Sequence, residues 1–386
     1  MAARKPVSLV KGDQSLVQTW PEEPSRFVED HVDPFLLWCV RKGTSDISIQ
    51  TDRTVYTDVH GTLYPATYRA IDAADMQVFL TKIYGPEAPA RLASGTDLDV
   101  SYEIRPDRYS RVRFRVNITP ILARGRDAAQ ITMRVLPAEP PRMEDLNIED
   151  QILQNFAPRQ GMVVITGPTG SGKTTLLAAG MRMLLERPTG CGKMLTYEAP
   201  IEFTYDTIHS PRSLVSQSEI HRHLPDFADG VRNALRRKPN IILVGEARDR
   251  ETISAAIEAA QTGHAVYTTT HTTGVSATIR RMVSAFDKSE RSERAYALME
   301  TLRLIVTQAL VPKKGGGRLG VREWMVFPDE VREKLLDMEI ENWTNEIQRM
   351  IPFYGQTMAK SATIIFEKGL IEKRHYLLLT AGGGSH

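Results

Sequence analysis

Cysteine is scarce: Cys39 and Cys191 are the only two among 386 residues. Thiols this far apart give neither a disulfide framework nor metal-ligand spacing. A reducing compartment is therefore expected, with both thiols as small buried hydrophobes. Long apolar runs are missing too. Runs such as 162–165 and 241–244 suit buried strands and fall well below the roughly 20 residues that span a bilayer. Behind the basic start MAARKPVSLVKGDQ there is no apolar stretch, so no signal peptide is expected. Net charge is only +2, and no whole-molecule field demands nucleic acid or an acidic surface, although a local basic patch stays open. No internal repeat occurs, and no low-complexity segment exceeds the 315–317 glycine loop.

What is present suits two domains of ordinary size in a soluble protein, with 41% apolar and 25% charged residues. Residues 1–26 are polar, carry Pro6, Pro21 and Pro24, and read as a loose arm. Residues 27–136 mix a helix at 33–41, a helix at 73–84 and short alternating runs at 47–49, 55–59, 98–100, 112–118 and 131–135. This is the pattern of a small α+β domain. A linker over 137–147 opens with Pro137, Pro140 and Pro141, which fit neither a helix nor a central strand. Residues 382–386 look like a linker or an expression scar.

From 148 to 381 the pattern changes to apolar strands alternating with helices. Strands are expected at 162–166, 194–197, 241–244 and 265–270, and helices at 174–187, 226–237 and 250–262. This signals an α/β domain with a parallel sheet covered on both faces, whose ligands sit at the carboxyl ends of its strands. Beyond Val275 the chain reads as mainly helical, with a strand near 321–326.

The strongest motif is GPTGSGKTT (167–175), between an expected strand and an expected helix. Gly167, Pro168, Thr169, Gly170, Ser171 and Gly172 let the backbone wrap so that its N–H groups face phosphate oxygens, helped by the positive end of the next helix. Lys173 supplies a point charge, Thr174 a hydroxyl for Mg²⁺, and Thr175 is the last residue of the binding stretch. ATP with Mg²⁺ is the implied ligand. The bland alternative is a glycine-rich turn.

Ile241–Val244 leads into Gly245 and Glu246, an acid at a strand tip that can hold the Mg²⁺ water shell or merely cap the next helix. Arg248 and Asp249 read as a local ion pair. Glu198 and Glu202 compete as the group that polarises an attacking water, against a plain surface turn fixed by Pro200. His264 follows a glycine that looks like a helix C-cap and reads as a solvated or capping residue. His271, at the far end of the 265–270 strand, is on the ligand side. Between Arg105 and Arg134 stand eight arginines against two acids. Arg111, Arg113 and Arg115 alternate along one strand. A solvated face, a nucleic-acid patch and arginines delivered to phosphates at a subunit interface all remain open. With only Tyr109 and Phe114 interleaved, direct nucleic-acid binding is not favoured.

Taken in order, GPTGSGKTT, YEAPIEF (197–203), SQSEIHRHLPDFADGVRNALRRKPNIILVGEARD (216–249) and TGHAVYTTTHT (262–272) resemble the secretion ATPase superfamily of type II and type IV secretion and pili. They correspond to its Walker A, Asp-box, Walker B and His-box elements. KGTSDISIQ (42–50) and RVRFRVN (111–117) resemble its N-terminal domain. The pattern is similar to the PilT-like branch, and within it to the DotB and TraJ type of type IVB secretion and IncI-type plasmid conjugation. That resemblance implies a RecA-like P-loop NTPase core with a smaller PAS-like N-terminal domain, assembled as a homohexamer. It implies ATP hydrolysis, partners in an inner-membrane secretion or conjugation apparatus, and a cytoplasmic location peripheral to that membrane. It casts Glu202 as the water-activating base, Glu246 as the Mg²⁺-side acid, and His264 and His271 as sensors. Arg113, Arg115 and Arg124 become the arginines that reach phosphates. Two departures favour secretion or conjugation over pilus retraction: Ala199 replaces the family's usual Asp, and no AIRNLIRE-type motif is found.

Overall fold

The computed structural model describes residues 18–108, 110–137 and 139–381. The expected arm up to residue 17, Tyr109, Ala138 and the closing residues 382–386 lie outside the described residues. The chain divides into two compact units, one of residues up to 138 together with Pro200–Glu202, the other of residues 139–199 and 203 onward.

The first unit contains α1 (Glu29–Arg41), β1 (Asp46–Gln50), β2 (Tyr56–Val59), β3 (Thr62–Pro65), α2 (Ala73–Ile83), α3 (Ala88–Ala93), β4 (Leu98–Ile104), β5 (Val112–Ala123) and β6 (Arg126–Leu136). Its strands form one antiparallel sheet in the order β3-β2-β1-β6-β5-β4. Alternation sorts the faces: Ile47 and Ile49 of β1 point inward with Val116 and Ile118 of β5. An aromatic cluster of Trp20, Phe27, Phe35 and Phe79 fills the space under α1 and α2. Helix α1 starts four residues before the expected Asp33. Pro34 lies inside the helix, and the apolar stripe Val32, Phe35, Leu36 and Cys39 carries the helix through it.

The second unit opens with a 3-10 turn (Met143–Leu146) and then runs α4 (Asp150–Asn155), β7 (Gly161–Thr166), α5 (Lys173–Leu185), β8 (Gly192–Glu198), β9 (Ser213–Glu219), α6 (Phe227–Leu235), β10 (Ile241–Val244), α7 (Arg250–Gln261), β11 (Ala265–Thr270), α8 (Val275–Ser284) and α9 (Arg291–Thr301). It closes with β12 (Leu302–Pro312), β13 (Arg318–Val326), α10 (Asp329–Leu336), α11 (Ile340–Tyr354), β14 (Gly355–Gln356), α12 (Met358–Glu367) and α13 (Lys373–Thr380). The sheet order is β14-β13-β12-β7-β11-β10-β8-β9. From β12 to β9 all pairs are parallel, while β13 and β14 add antiparallel edges.

Successive residues of the inner strands go to opposite cores. Met162, Val164, Ile242 and Val244 join one, and Val163, Ile165, Ile241 and Leu243 the other. That is why these strands read as continuous apolar runs. The mixed α/β class with a parallel-rich sheet is as expected. Beyond Val275 the chain is mainly helical with a strand at 318–326, as read from sequence; what was missed is β12, residues 302–312, which lies beside β7 and receives β13. Strand β9 was not foreseen either. Cys39 is buried as expected, but Cys191 is half-exposed, a departure from that reading. Among the described residues no helix is long and apolar enough to cross a membrane.

Candidate functional site

Strand β7 ends at Thr166, and the phosphate loop fills the gap to α5, whose first residue is Lys173. Gly167 (φ 142°) and Gly172 (φ 81°) adopt backbone angles that side chains disfavour. Packing forbids a Cβ as well. At Gly167 it would meet the Gln308 carbonyl at 2.3 Å, and at Gly172 the Gln308 amide at 2.9 Å. The loop therefore lies directly on β12. Pro168, Thr169 and Gly170 are exposed, whereas Ser171 and Lys173 are buried. Lys173 Nζ donates to the carbonyls of Gly167 (2.8 Å) and Pro168 (3.1 Å), drawing the ends of the loop together. Thr174 and Thr175 are half-buried in the first turn of α5.

Two further groups converge at the carboxyl ends of β10 and β11. His271 Nδ1 lies 3.4 Å from Lys173 Nζ, and its Nε2 lies 3.6 Å from Glu246 Oε1. An ammonium can only donate, so Nδ1 is the accepting nitrogen and the ring proton sits on Nε2, facing the carboxylate. Threonine hydroxyls hold these tips in place. The Thr269 hydroxyl donates to the Gly245 carbonyl at 2.6 Å, and the Ala247 N–H donates to the Thr269 main-chain carbonyl at 2.9 Å, fixing the turn that carries Glu246. On the other side Thr166 donates to the Thr272 carbonyl (2.6 Å), and Thr270 donates to Thr166 (3.1 Å). These threonines were not singled out from sequence; the run Thr268–Thr270 at a strand end was the available signal.

Asp249 caps α7, its carboxylate accepting from the Thr252 N–H at 2.8 Å. The cap role left open for Glu246 is therefore taken, and Asp249 is a cap where an ion pair with Arg248 was expected. His264 stands at the opposite end of β11. Its Nδ1 lies 3.0 Å from the Ala259 carbonyl, and its N–H bonds the same oxygen at the C-terminus of α7. Seven residue steps at about 3.3 Å each separate it from His271 by on the order of 20 Å. Within this chain His264 is a helix-end residue and does not meet the phosphate loop, which corrects its grouping with His271.

Glu198, the last residue of β8, is buried and accepts from Thr196 (2.7 Å) and Gln217 (3.1 Å). Those donors fit a positioned structural carboxylate. Glu202 groups with the first unit and is a quarter exposed, its Oε1 3.2 Å from Arg115 Nη1.

In the first unit the arginine run is neutralised across strands. Arg115 pairs with Asp99 (2.7 Å), while Arg113 and Arg111 approach Glu103 (3.4 and 3.7 Å). Burial works against the Arg115 charge, but Asp99 and Glu202 outweigh it and raise its pKa. Arg113 is buried and also donates to the carbonyls of Ile201 (2.8 Å) and Glu202 (2.6 Å), so a solvated face does not describe it. Arg111 stands one residue before β5. Arg124, near the β5–β6 turn, is exposed and 3.8 Å from Asp52. Cross-strand pairing explains much of the charge and weighs against a nucleic-acid patch.

The second unit fits a bound nucleotide by its own chemistry. The Ser171 hydroxyl is buried in the loop with no hydrogen-bond partner among the described residues. The loop's two crowded glycines seat it against β12, where any side chain would collide with Gln308.

Comparison with known proteins agrees with this geometry. A family profile described as "Type II/IV secretion system protein" matches residues 22–316. The chain is similar to the X-ray structure of the Legionella pneumophila ATPase DotB, with 47% identity and a TM-score of 0.91, over 95% of this chain and 100% of that one. It is 31% identical to the type IV pilus retraction ATPase PilT of Pseudomonas aeruginosa, over 89% of this chain and 96% of that protein. A crystal structure of the pilus retraction motor PilT with bound ADP aligns at 29% identity and a TM-score of 0.78, covering 90% of this chain and 96% of that chain.

Proposed function

The chain belongs to the type II/IV secretion system protein family, a family of secretion and pilus ATPases, and on that premise we propose that it hydrolyses ATP at residues 167–175 to drive a hexameric motor. The observation that carries the reading is the convergence of Lys173, His271 and Glu246 on one phosphate loop.

Phosphoryl transfer to water needs positioning and charge neutralisation more than covalent chemistry. Loop amides and Lys173 bind the β and γ phosphates, and Lys173 exchanges its two carbonyl partners for phosphate oxygens. Magnesium bound with the nucleotide supplies charge neutralisation, and Thr174 and Glu246 are the residues that would hold it. His271 bridges Lys173 and Glu246 and is suited to respond when the γ phosphate leaves. Glu202 orients the attacking water. Of the arginines proposed to reach the phosphates, Arg113 and Arg115 are engaged with acids and carbonyls, while Arg124 is the exposed one. Loss of the γ phosphate then re-orients the two units about the 137–147 linker, and a ring of six converts this into work.

The resemblance to DotB favours a motor for type IVB secretion or conjugation, docked on an inner-membrane apparatus. The likeness to PilT keeps a pilus motor as the second reading. Phosphate release by purified protein with Mg-ATP, together with its sedimentation mass, tests the enzyme and the ring. A monomer without turnover would reject both. Deleting the gene then separates the systems: loss of plasmid transfer or effector export with pili intact supports the first reading, and loss of piliation or retraction supports the second.

A further inference from the structure

The phosphate loop has a buried support that the motifs do not include. Parallel pairing sets Thr307 of β12 beside Thr166 of β7, so Gln308 stands level with Gly167, the first loop residue. Gln308 is buried, and its Nε2–H donates to the Ser171 carbonyl at 2.7 Å. Its Oε1 accepts from Arg322 Nε at 2.8 Å. Arg322 is also buried. Its remaining donors go to the carbonyls of Leu146 (3.0 Å) and Asn147 (3.0 Å) and to Glu149 Oε2 (3.1 Å). Gly320 makes room for the pair: a Cβ there would meet Arg322 at 2.6 Å and Gln308 Oε1 at 3.1 Å.

The chemistry of the pair fixes its direction. A guanidinium has donors only, so Gln308 must turn its oxygen toward Arg322 and its NH₂ toward the loop. Pinning the Ser171 carbonyl against β12 also orients the next peptide. In a trans peptide the C=O and N–H point to opposite sides, so the Gly172 N–H is aimed away from β12. Aligned loop amides of this kind make an anion nest.

We propose that Gln308 and Arg322 are positioning residues for the phosphate loop, Gln308 by holding the Ser171–Gly172 peptide and Arg322 by orienting Gln308 and tying it to residues 146–149. The loop and the segment that opens the second unit are then mechanically linked, so that nucleotide held by one is felt by the other. This rests on the reading of residues 167–175 as a nucleotide site.

Gln308→Glu tests it. Glutamate keeps the size and still accepts from Arg322, but it cannot donate to Ser171. Affinity for Mg-ADP, measured by titration calorimetry on folded protein, is expected to fall about tenfold, the equivalent of one lost hydrogen bond. KM for ATP should rise in step, while the melting temperature stays close to wild type. A purely structural role would lower the melting temperature and leave the folded protein's affinity intact. Gln308→Met, which neither donates nor accepts, should repeat the affinity loss. Affinities within twofold of wild type in either folded variant overturn the proposal. Should neither variant fold, hydrogen exchange on wild type decides: Mg-ADP should slow exchange at 302–312 and 146–149 along with the loop, and no change there overturns the link. Wild type that does not bind Mg-ADP at all would count against the nucleotide site, not against this relay.

Discussion

His271 Nε2 faces Glu246 Oε1 at 3.6 Å across the carboxyl ends of two neighbouring parallel strands. The distance is beyond a hydrogen bond and leaves the Nε2 proton aimed at the carboxylate. The two side chains are half-exposed, so their rotamers stay free to respond to a ligand between them. Glu246→Gln removes the charge and keeps the shape. Turnover with Mg-ATP should fall about a hundredfold, the scale of losing one group that stabilises transition-state charge. The melting curve should hardly move. Steady-state rates across a magnesium titration check this, and unchanged rates would remove Glu246 from the metal side.

Lys173→Ala should abolish measurable phosphate release, a loss of at least about a hundredfold. The side chain also closes the loop through the carbonyls of Gly167 and Pro168. Some local loosening is therefore expected, seen as faster hydrogen exchange over 167–172 with the rest of the second unit unaltered.

Gly172→Ala is expected to be severe for a methyl group. The new Cβ must occupy φ 81° and come within 2.9 Å of Gln308 Nε2 and 3.3 Å of a Leu310 methyl. Nucleotide affinity should drop at least about tenfold, since a small misplacement of binding groups carries that order of cost. Gly170→Ala, with open space around its position, should cost less. Equal effects in the two variants would show that crowding at Gly172 is not decisive.

Glu202→Gln should lower kcat by about a hundredfold or more with nucleotide affinity retained, if its carboxylate aligns the water. Near-normal turnover would remove Glu202 as the base and turn attention to Glu198, which is buried and already committed to Thr196 and Gln217.

Away from the site, Asp75 is the clearest source of pH dependence. Burial raises its pKa, but Arg69, the Phe27 N–H at 2.8 Å and the Asp72 N–H outweigh this and hold it below the usual carboxylate range. A depressed folded-state pKa contributes stability that is complete above the unfolded value, about 4, and fades as pH falls through the folded one. Asp75→Asn should destabilise by about 3 kcal/mol at pH 7, because Arg69 loses its buried partner. Melting temperatures of wild type and variant should begin to converge once pH falls below the unfolded value of about 4. A constant gap would assign the effect to packing.

Legibility followed the range of the forces involved. The phosphate loop, the strands 241–244 and 265–270 and the helix 250–261 were readable because periodicity, glycines and caps act within a few residues. Strand β12 was not. The run LRLIVTQALVP has no period that separates strand from buried helix, and pairing with β7 decides it. Gln308 was missed with it. The Arg111–Arg115 run read as unbalanced charge because Asp99 and Glu103, its partners, come from another strand. His264 and His271 already stood apart in sequence, one behind a cap-like glycine and the other at the far end of the strand, and the direction of β11 puts the first at a helix end and the second beside Lys173.

By itself the sequence determined that this chain carries a phosphate loop with its lysine and threonine, and that apolar strands alternating with helices build the sheet beneath it. Those properties are written in neighbouring residues. How Glu246, His271 and Lys173 meet, and that the buried Gln308 amide supports the loop, was decided by tertiary structure. Parallel pairing brings residues as far apart as Ser171 and Gln308, 137 positions, to the same end of the sheet, and only there do their charges and hydrogen bonds act on one another.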